Sequence, residues 1–285
     1  MSLENRSKLN NLQRDLPEGM LASSFSLNKK SYSNQLLKKY RESGWLESPA
    51  RGVYRRPGPP LKWQQVVASL CRLLDSTPHV GGLSALELRG YAHFLKPQGP
   101  GEIHLYSDTK LPGWVAKLPL RERLVAHRNR LFVPSHAEVE TIARENAAVY
   151  LVHTASVPDD SLTHEVWGPW DWHLPYSTPE RAMLELLAEV PQRESVEHAA
   201  LLMQGLADLS SRRVLALLAA CNSVKVKRLF LALASRHRHQ WVARVVEAAD
   251  RGEVDIGKGK RSLAPGGKLH PKYLITLPEE SDVRG

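Results

Sequence analysis

The spacing of apolar residues along the first sixty positions predicts three short helices. The first covers residues 3–13, and the second starts at Ser23 or Ser24. Phe25 and Leu27 are the expected apolar anchors of the second helix. Short helices separated by polar residues are typical of a small N-terminal domain.

The third predicted helix covers residues 34–43 and has a signal at each end. Ser33 can cap its N terminus, and Gly44 can end it. At about 100° per residue, one side of this helix carries three apolar side chains: Leu36, Leu37 and Tyr40. We expect that side to pack on the protein core.

The opposite side of the third helix carries amides and cations. These are Asn34, Lys38 and Arg41, with Gln35 and Lys39 beside them. Asn and Gln can form paired hydrogen bonds with adenine, and Arg or Lys can pair with guanine. A polar helix face is more often simply a solvated face, so the pattern needs support from its surroundings.

Two short strands are predicted directly after this helix, in residues 45–56, around a Pro-Ala-Arg-Gly turn. Two helices, a basic third helix and a basic hairpin, in that order, are typical of a winged helix-turn-helix domain. In such a domain the third helix enters the major groove of DNA, and the hairpin grips the backbone beside it. Pro and Gly in residues 56–60 then predict a domain boundary at residue 60.

The rest of the chain mixes helical and strand-like patterns. Helices are predicted at residues 61–74 and 83–95, and strands at 102–107, 123–133 and 148–153. From residue 178 the pattern is helical, with candidate N-caps at Thr178, Ser195, Ser210 and Ser223. Short alternating pieces return at residues 253–256 and 273–277. We therefore expect an α+β protein: a winged helix-turn-helix domain in residues 1–60, then a mixed α/β domain with a helical insert in residues 61–285.

Positive charge is concentrated near the N terminus. The 285 residues carry a formal net charge of +9. Residues 1–60 hold 11 basic and 5 acidic residues, so +6 of this charge lies there. A basic end on a nearly balanced body is typical of a protein that binds a polyanion, most often nucleic acid. Apolar residues make up 42% of the chain, enough for a packed core.

The chain has no pattern of a membrane or secreted protein. Its longest apolar run, residues 214–221, is far shorter than the about 20 residues that a membrane span needs. The N terminus lacks the charged and apolar pattern of a signal peptide. Two cysteines, Cys71 and Cys221, fit a reduced compartment. We expect a cytoplasmic protein that makes no membrane contact.

Signals for catalysis are weak. Residues 257–261 and 265–268 could cradle phosphate through backbone amides, but they lack the Ser or Thr of a P-loop. His237 and His239 have no neighbouring cysteine to complete a zinc site. The dipeptide Gly-Ser, which a nucleotidyltransferase would need, occurs nowhere in the chain. We predict no catalytic residue, no metal and no cofactor, and a nucleotide-using enzyme is the least favoured interpretation.

A second basic surface is expected in the C-terminal part of the chain. It consists of Lys225, Lys227, Arg228, Lys258, Lys260, Arg261 and Lys268. This surface could meet a partner protein or an RNA; alternatively, Lys225 and Arg228 only form the wet face of a helix. The tryptophan-rich residues 167–173 could stack bases, but the pattern favours covering a core or a partner surface.

Several segments carry a specific combination of motifs. In the N-terminal part these are Leu16-Pro17-Glu18-Gly19, residues 36–46 and Arg51-Gly52-Val53-Tyr54-Arg55-Arg56. Further on they are residues 79–90, 103–106, 178–182 and 223–230. Together they resemble the AbiEi-type antitoxins of type IV toxin–antitoxin systems, which are tied to abortive phage infection. The likeness spans most of the chain, with one departure: the turn Lys30-Ser31-Tyr32-Ser33 lacks the glycine expected before the third helix.

The resemblance implies a winged-helix domain that represses its own operon, joined to an α/β domain that counteracts a nucleotidyltransferase-like toxin. It implies groove contacts by Asn34, Gln35, Lys38, Lys39 and Arg41, and wing contacts by Arg51, Arg55 and Arg56. To these predicted DNA contacts we add Lys29 and Lys30, which precede the third helix. The second basic surface would then face the toxin or an RNA.

One expected partner is double-stranded operator DNA that contains inverted repeats. The other is the toxin, which this chain would counteract with or without direct contact between the two proteins. The oligomeric state stays open, with a monomer that binds cooperatively as one option. The alternative function is a plain winged-helix transcriptional regulator whose C-terminal domain senses a ligand or a partner.

Overall fold

The computed structural model describes residues 3–74, 77–91, 101–132, 157–169, 171–263 and 266–278. These residues contain ten α-helices and eleven strands. They form two compact units. The first unit holds the described residues up to Val80, together with 101–128 and 164–175. The second holds residues 81–91, 129–132 and 157–163, and the described residues from Tyr176 onward.

The N-terminal residues fold as the predicted winged helix. Their elements are α1 (Leu3–Asp15), β1 (Ala22–Ser23), α2 (Ser24–Lys29), α3 (Asn34–Glu42), β2 (Glu47–Ala50) and β3 (Val53–Arg55). The strands form an antiparallel sheet in the order β1-β3-β2. Strand β1 was not predicted, because two residues are too few to show a periodic pattern. It ties the start of α2 to the wing, which is the β2–β3 hairpin.

Local sequence signals determine where these helices begin and end. The Ser23 hydroxyl accepts a hydrogen bond from the Ser26 N–H at 3.1 Å. The Ser33 hydroxyl accepts one from the Leu36 N–H at 3.3 Å. The predicted cap at Ser33 is therefore confirmed, and Ser23 caps the helix that was predicted to start there. Gly44 follows α3 with a φ of 73°, the left-handed conformation that commonly ends a helix and favours glycine.

The apolar residues of α2 and α3 differ in burial from the prediction at two positions. Leu37 and Tyr40 are buried as predicted, while Leu36 is only half-buried. Leu27 is buried, but Phe25 is 69% exposed. The prediction that Phe25 anchors the core is wrong, because residues two apart on a helix point in opposite directions and Leu27 occupies the core side.

The turn between α2 and α3 reaches its geometry without glycine. Ser31 has a φ of 67°, a conformation that is strained for residues other than glycine. We expect Ser31→Gly to raise the free energy of unfolding by up to about 1 kcal/mol, since glycine adopts this φ without a steric penalty. Chemical denaturation measures the change. Ser26→Gly, at a helical position of α2, is the matched control and should lower stability by a similar amount; a loss in both variants would contradict strain at Ser31.

The first unit also contains helix α4 (Trp63–Leu73) and most of a five-stranded sheet. The strands are β4 (His79–Val80), β5 (Glu102–Ser107), β6 (Arg123–Arg128), β7 (Leu162–Trp167) and β8 (Trp172–Ser177). They lie in the order β6-β5-β4-β8-β7, with β5 parallel to β6 and antiparallel to β4. Strand β5 has its predicted bounds, and β6 ends earlier than predicted.

The second unit is mainly helical. Its helices are α5 (Gly82–Leu88), α6 (Pro179–Ala188), α7 (Val196–Gly205), α8 (Ser211–Ala220), α9 (Val224–Ala234) and α10 (Gln240–Asp250). The four predicted N-caps precede α6 to α9 in order. The hydroxyls of Ser195, Ser210 and Ser223 each accept a backbone N–H and are confirmed as caps. Thr178 stands at the cap position before Pro179, but its side chain makes no capping hydrogen bond. Strands β9 (Arg261–Ser262), β10 (Lys268–Leu269) and β11 (Ile275–Leu277) form a small sheet in the order β10-β11-β9. Every residue of α9 from Val226 onward is buried, so this helix runs through the core.

Some predicted strands and helix ends are absent from the structure or lie outside the described residues. Residues 253–256 form no strand, because the carbonyls of Asp255 and Ile256 accept hydrogen bonds from two side chains of α9. The predicted strand at 148–153 lies outside the described residues, as do residues 92–95 and 133. Among the helices that the structure describes, none has the length and apolar character that crossing a membrane requires.

Helix α6 carries a buried ion pair. Arg181 Nε donates to Glu185 Oε1 at 2.8 Å, and the two side chains are 4% and 0% exposed. The other carboxylate oxygen accepts from the Ser177 hydroxyl at 2.7 Å and from the Gly82 N–H at 3.0 Å. Arg181 also donates to the Ser161 hydroxyl at 3.1 Å. The pair therefore joins α6 to three other segments of the second unit.

Candidate nucleic-acid interface

The polar side of α3 is exposed, as predicted. All five of its predicted DNA contacts face solvent: Asn34, Gln35, Lys38, Lys39 and Arg41. Lys38 Nζ lies 3.9 Å from Glu42 Oε1, and both side chains are mostly exposed, so this pair is weak. Within the described residues, Gln35, Lys39 and Arg41 make no side-chain hydrogen bond or ion pair. Their amide and charged groups are therefore available to a ligand.

The two lysines at the end of α2 differ in their surroundings. Lys30 Nζ binds Asp15 Oδ1 at 3.0 Å, and the Tyr32 hydroxyl donates to the second oxygen of Asp15. Partial burial acts to raise the pKa of the Asp15 carboxyl, but these two hydrogen bonds and the positive charges of Lys30 and Arg14 together lower it below its ordinary value. Lys29 instead lies over the Phe25 ring, 4.6 Å from its centroid. Since Asp15 already neutralises Lys30, Lys29 is the stronger candidate for a DNA contact.

The three predicted contacts of the wing are not brought together. Arg51 is exposed at the turn of the wing. Arg55 is only 8% exposed: its guanidinium binds Glu47 at 2.8 Å and donates to the carbonyls of Pro59 and Gly58. The prediction that Arg55 contacts DNA is thus corrected, because its hydrogen-bonding groups hold the base of the wing.

Arg56 lies away from the wing turn. It is half-buried beside a groove of about 230 Å³ that is also lined by Trp45 and, on α1, by Leu9 and Leu12. The wing turn therefore presents Arg51 alone of the three predicted arginines.

Arg55→Ala should act on stability and not on phosphate binding. We expect the free energy of unfolding to fall by about 1.5–3 kcal/mol, because Glu47 and two carbonyls lose a charged donor. Denaturation measures this loss. The matched control is Arg51→Ala, which should leave stability unchanged. It should lower both the affinity for DNA and the dependence of that affinity on salt. A reduced salt dependence in Arg55→Ala would contradict the structural role of Arg55.

Three members of the predicted second basic surface are tied to backbone carbonyls, and two of them, Lys227 and Arg228, are buried. Lys225 Nζ donates to the Ala188 carbonyl at 2.8 Å and to the Val190 carbonyl, and burial lowers the pKa of this lysine. Lys227 is 7% exposed and donates to the Asp255 carbonyl at 2.9 Å. Arg228 is 1% exposed. These side chains donate hydrogen bonds to carbonyl groups of helix ends and loops. The solvent-exposed members that remain are Lys258, Lys260, Arg261 and Lys268.

Arg228 organises the Gly- and Lys-rich loop that follows α10. Its guanidinium donates to the backbone carbonyls of Ile256, Gly257, Gly259 and Leu274. A phosphate cradle needs backbone N–H groups turned toward the anion. Here the carbonyls of the loop turn toward a buried cation, and the Gly257 N–H donates to Asp255 Oδ1 at 2.8 Å. The loop is therefore built around Arg228, and the weakly favoured phosphate cradle has no support.

The aromatic stretch forms the tip of the β7–β8 hairpin. Trp167 and Trp172 are half-buried, with ring centroids 5.8 Å apart. Lys62 Nζ lies 5.9 Å from the Trp167 centroid. Trp170 lies outside the described residues. The two described indoles thus pack on each other, and Trp167 also packs against Lys62; whether this stretch covers a surface or stacks bases stays a prediction.

Comparisons with known proteins agree with the fold. Residues 5–97 match a family model described as "Transcriptional regulator, AbiEi antitoxin N-terminal domain". Residues 101–278 match one described as "Transcriptional regulator, AbiEi antitoxin, Type IV TA system". The predicted domain boundary at residue 60 stays a prediction.

One similar solved structure is that of the RV2827C protein from Mycobacterium tuberculosis. Its sequence is 17% identical, its TM-score is 0.51, and the match covers 94% of this chain and 88% of that chain. At this identity the likeness supports the fold alone. No curated protein matches the chain.

Proposed function

We propose, from the premise that the chain belongs to the AbiEi antitoxin family of type IV toxin–antitoxin systems, that it represses its own operon and counteracts a nucleotidyltransferase-like toxin. Repression would act through binding of the winged helix to operator DNA in the cytoplasm. The role proposed for this chain is one of binding, without catalysis.

The exposed face of α3 is the observation that carries the DNA-binding part of the proposal. It presents two amides, Asn34 and Gln35, and the three cations of the helix. Glu42 is the only acidic residue in α3. Amides and arginine can read base edges, whereas lysines neutralise phosphates. Two neighbouring elements each add one exposed cation: α2 adds Lys29, and the wing adds Arg51.

Salt dependence tests this part on the full chain. If Lys29, Lys38, Lys39 and Arg51 each contact a phosphate, log K should fall against log salt with a slope of about −3.6. A mobility-shift titration would use DNA from upstream of the chain's own gene and a random duplex of equal length. We expect the upstream DNA to bind at least about 10³-fold more tightly. Equal binding of both duplexes would contradict an operator, and the absence of binding would contradict the function.

The same upstream DNA tests how the operator is arranged. We propose an inverted repeat, with one copy of the chain on each half-site. Footprinting should then show two protected segments related by symmetry, about one helical turn or a multiple of it apart. A single protected segment with one bound copy would contradict the repeat.

Counteraction of the toxin is tested by growth. The toxin would be expressed from an unrelated promoter together with the full chain, so that repression plays no part. We expect the wild type and a Lys38→Ala/Arg41→Ala variant to restore growth equally. If only the wild type restores growth, the division of labour between the domains is wrong. If neither does while operator binding is intact, the chain is a plain regulator whose second domain senses a ligand or partner.

A further inference from the structure

Phe25 is an exposed aromatic side chain within a basic surface. At 69% exposure it is the most exposed large apolar residue in the part of the chain that the structure describes. Its helix α2 buries Leu27 on the other side, so the phenyl ring takes no part in the core. Exposed apolar groups are common singly, and the neighbours of this one decide whether it has a role.

On one side, Phe25 adjoins the wing. Ser23 in β1 pairs with Val53 in β3, and the Ser24 N–H donates to the Gly52 carbonyl at 2.7 Å. One residue further along each segment stand Phe25 and the exposed Arg51. The backbone pairing thus brings the start of α2, which carries Phe25, to the cationic turn of the wing.

On the other side, the same face of α2 leads to α3. Phe25, Asn28 and Lys29 are three and four residues apart, so they share one face of the helix. The Asn28 and Asn34 side-chain amides form a hydrogen bond of 3.3 Å, which joins this face to the first residue of α3. Phe25 therefore lies on a continuous surface between the wing and the helix proposed to enter the major groove.

The charge around Phe25 indicates what would cover it. Lys29 Nζ lies over the ring at 4.6 Å from the centroid, and Lys29 has no carboxylate partner within the described residues. A ligand that matches this pair must offer an anion to Lys29 and a carbon surface to the ring. The backbone of duplex DNA offers both, since each phosphate adjoins a deoxyribose.

We propose that Phe25 packs on a deoxyribose of the operator while Lys29 and Arg51 hold the phosphates on either side of it. The inference rests on the proposed function and adds an apolar contact to a surface otherwise described by charge. Such a contact releases no counterions, so it contributes affinity that is independent of salt. It also touches a group common to all four nucleotides, so it contributes no sequence preference.

The experiment compares Phe25→Ala with the wild type in salt titrations on upstream and random DNA. We expect binding to weaken about 5- to 10-fold on both duplexes, from the loss of roughly half the burial of a phenyl side chain, with an unchanged salt slope. Phe25→Leu should keep most of the affinity. Lys29→Ala should weaken binding and reduce the slope by about 0.9.

Two controls separate this contact from its alternatives. Leu201→Ala, which changes a 62% exposed residue on α7, should leave DNA binding unchanged. Replacing thymidine by deoxyuridine in the duplex removes the thymine methyl group. This should leave the effect of Phe25→Ala intact, because that methyl group is not the contact.

Three results would overturn the inference: equal affinity of Phe25→Ala and the wild type, a loss confined to upstream DNA, or a loss that vanishes with deoxyuridine. In each of these the wild type still binds DNA, so the proposed function survives. If the wild type binds no DNA, both the inference and the proposed function are overturned.

Discussion

Arg181→Met should lower the free energy of unfolding by about 3–5 kcal/mol, the largest effect we expect from a single substitution in this chain. The variant removes the guanidinium that binds Glu185, a carboxylate whose side chain is fully buried. The Ser177 hydroxyl and the Gly82 N–H would still donate to the carboxylate. Neither donor carries a charge, so neither replaces the electrostatic stabilisation that the guanidinium gives to this buried carboxylate.

Denaturation of the full chain measures this effect. Arg193→Ala is the matched control, because Arg193 faces Glu189 at the same spacing of four residues but is 52% exposed. It should cost at most about 0.5 kcal/mol. The double variant Arg181→Met/Glu185→Leu should regain much of the stability, since it removes both charges together. A loss below about 1 kcal/mol for Arg181→Met alone would contradict the structural role of the pair.

Arg41→Ala should weaken binding to upstream DNA by about 1–3 kcal/mol and relax the preference at one base position. Arg41 is exposed on the polar side of α3, with no side-chain partner among the described residues. Its planar guanidinium can form two hydrogen bonds with guanine, and alanine can form none. On random DNA the loss should be smaller, because only the contribution of the charge disappears there.

Competition binding with single-base variants of the upstream DNA measures this preference. Arg14→Ala is the control, since Arg14 is also an exposed arginine of the first unit but lies on α1 and donates to Asn11. It should leave base preference unchanged. Equal losses on upstream and random DNA for Arg41→Ala would reject base reading by this residue.

The winged helix could be predicted because its signals are local. Ser33 and Gly44 mark the ends of α3 through hydrogen bonds and a backbone angle that depend on neighbours within a few residues. The caps of the second unit, such as Ser210 and Ser223, are of the same kind. The left-handed residue of the α2–α3 turn was not predicted, because Ser31 carries no sign of that conformation.

The sequence by itself determined where helices begin, which side of α3 is apolar, and that basic residues crowd the N-terminal domain. Only the tertiary structure decided which of those cations face solvent. Arg51 and Arg55 stand four residues apart in one hairpin, yet one is exposed and the other is held by Glu47 and by the carbonyls of Gly58 and Pro59. The same holds for Arg228, whose four carbonyl partners lie 28 to 46 residues away. Burial of a cation depends on the acceptors that folding brings to it, and the helix and strand patterns of the sequence do not record where those acceptors will be.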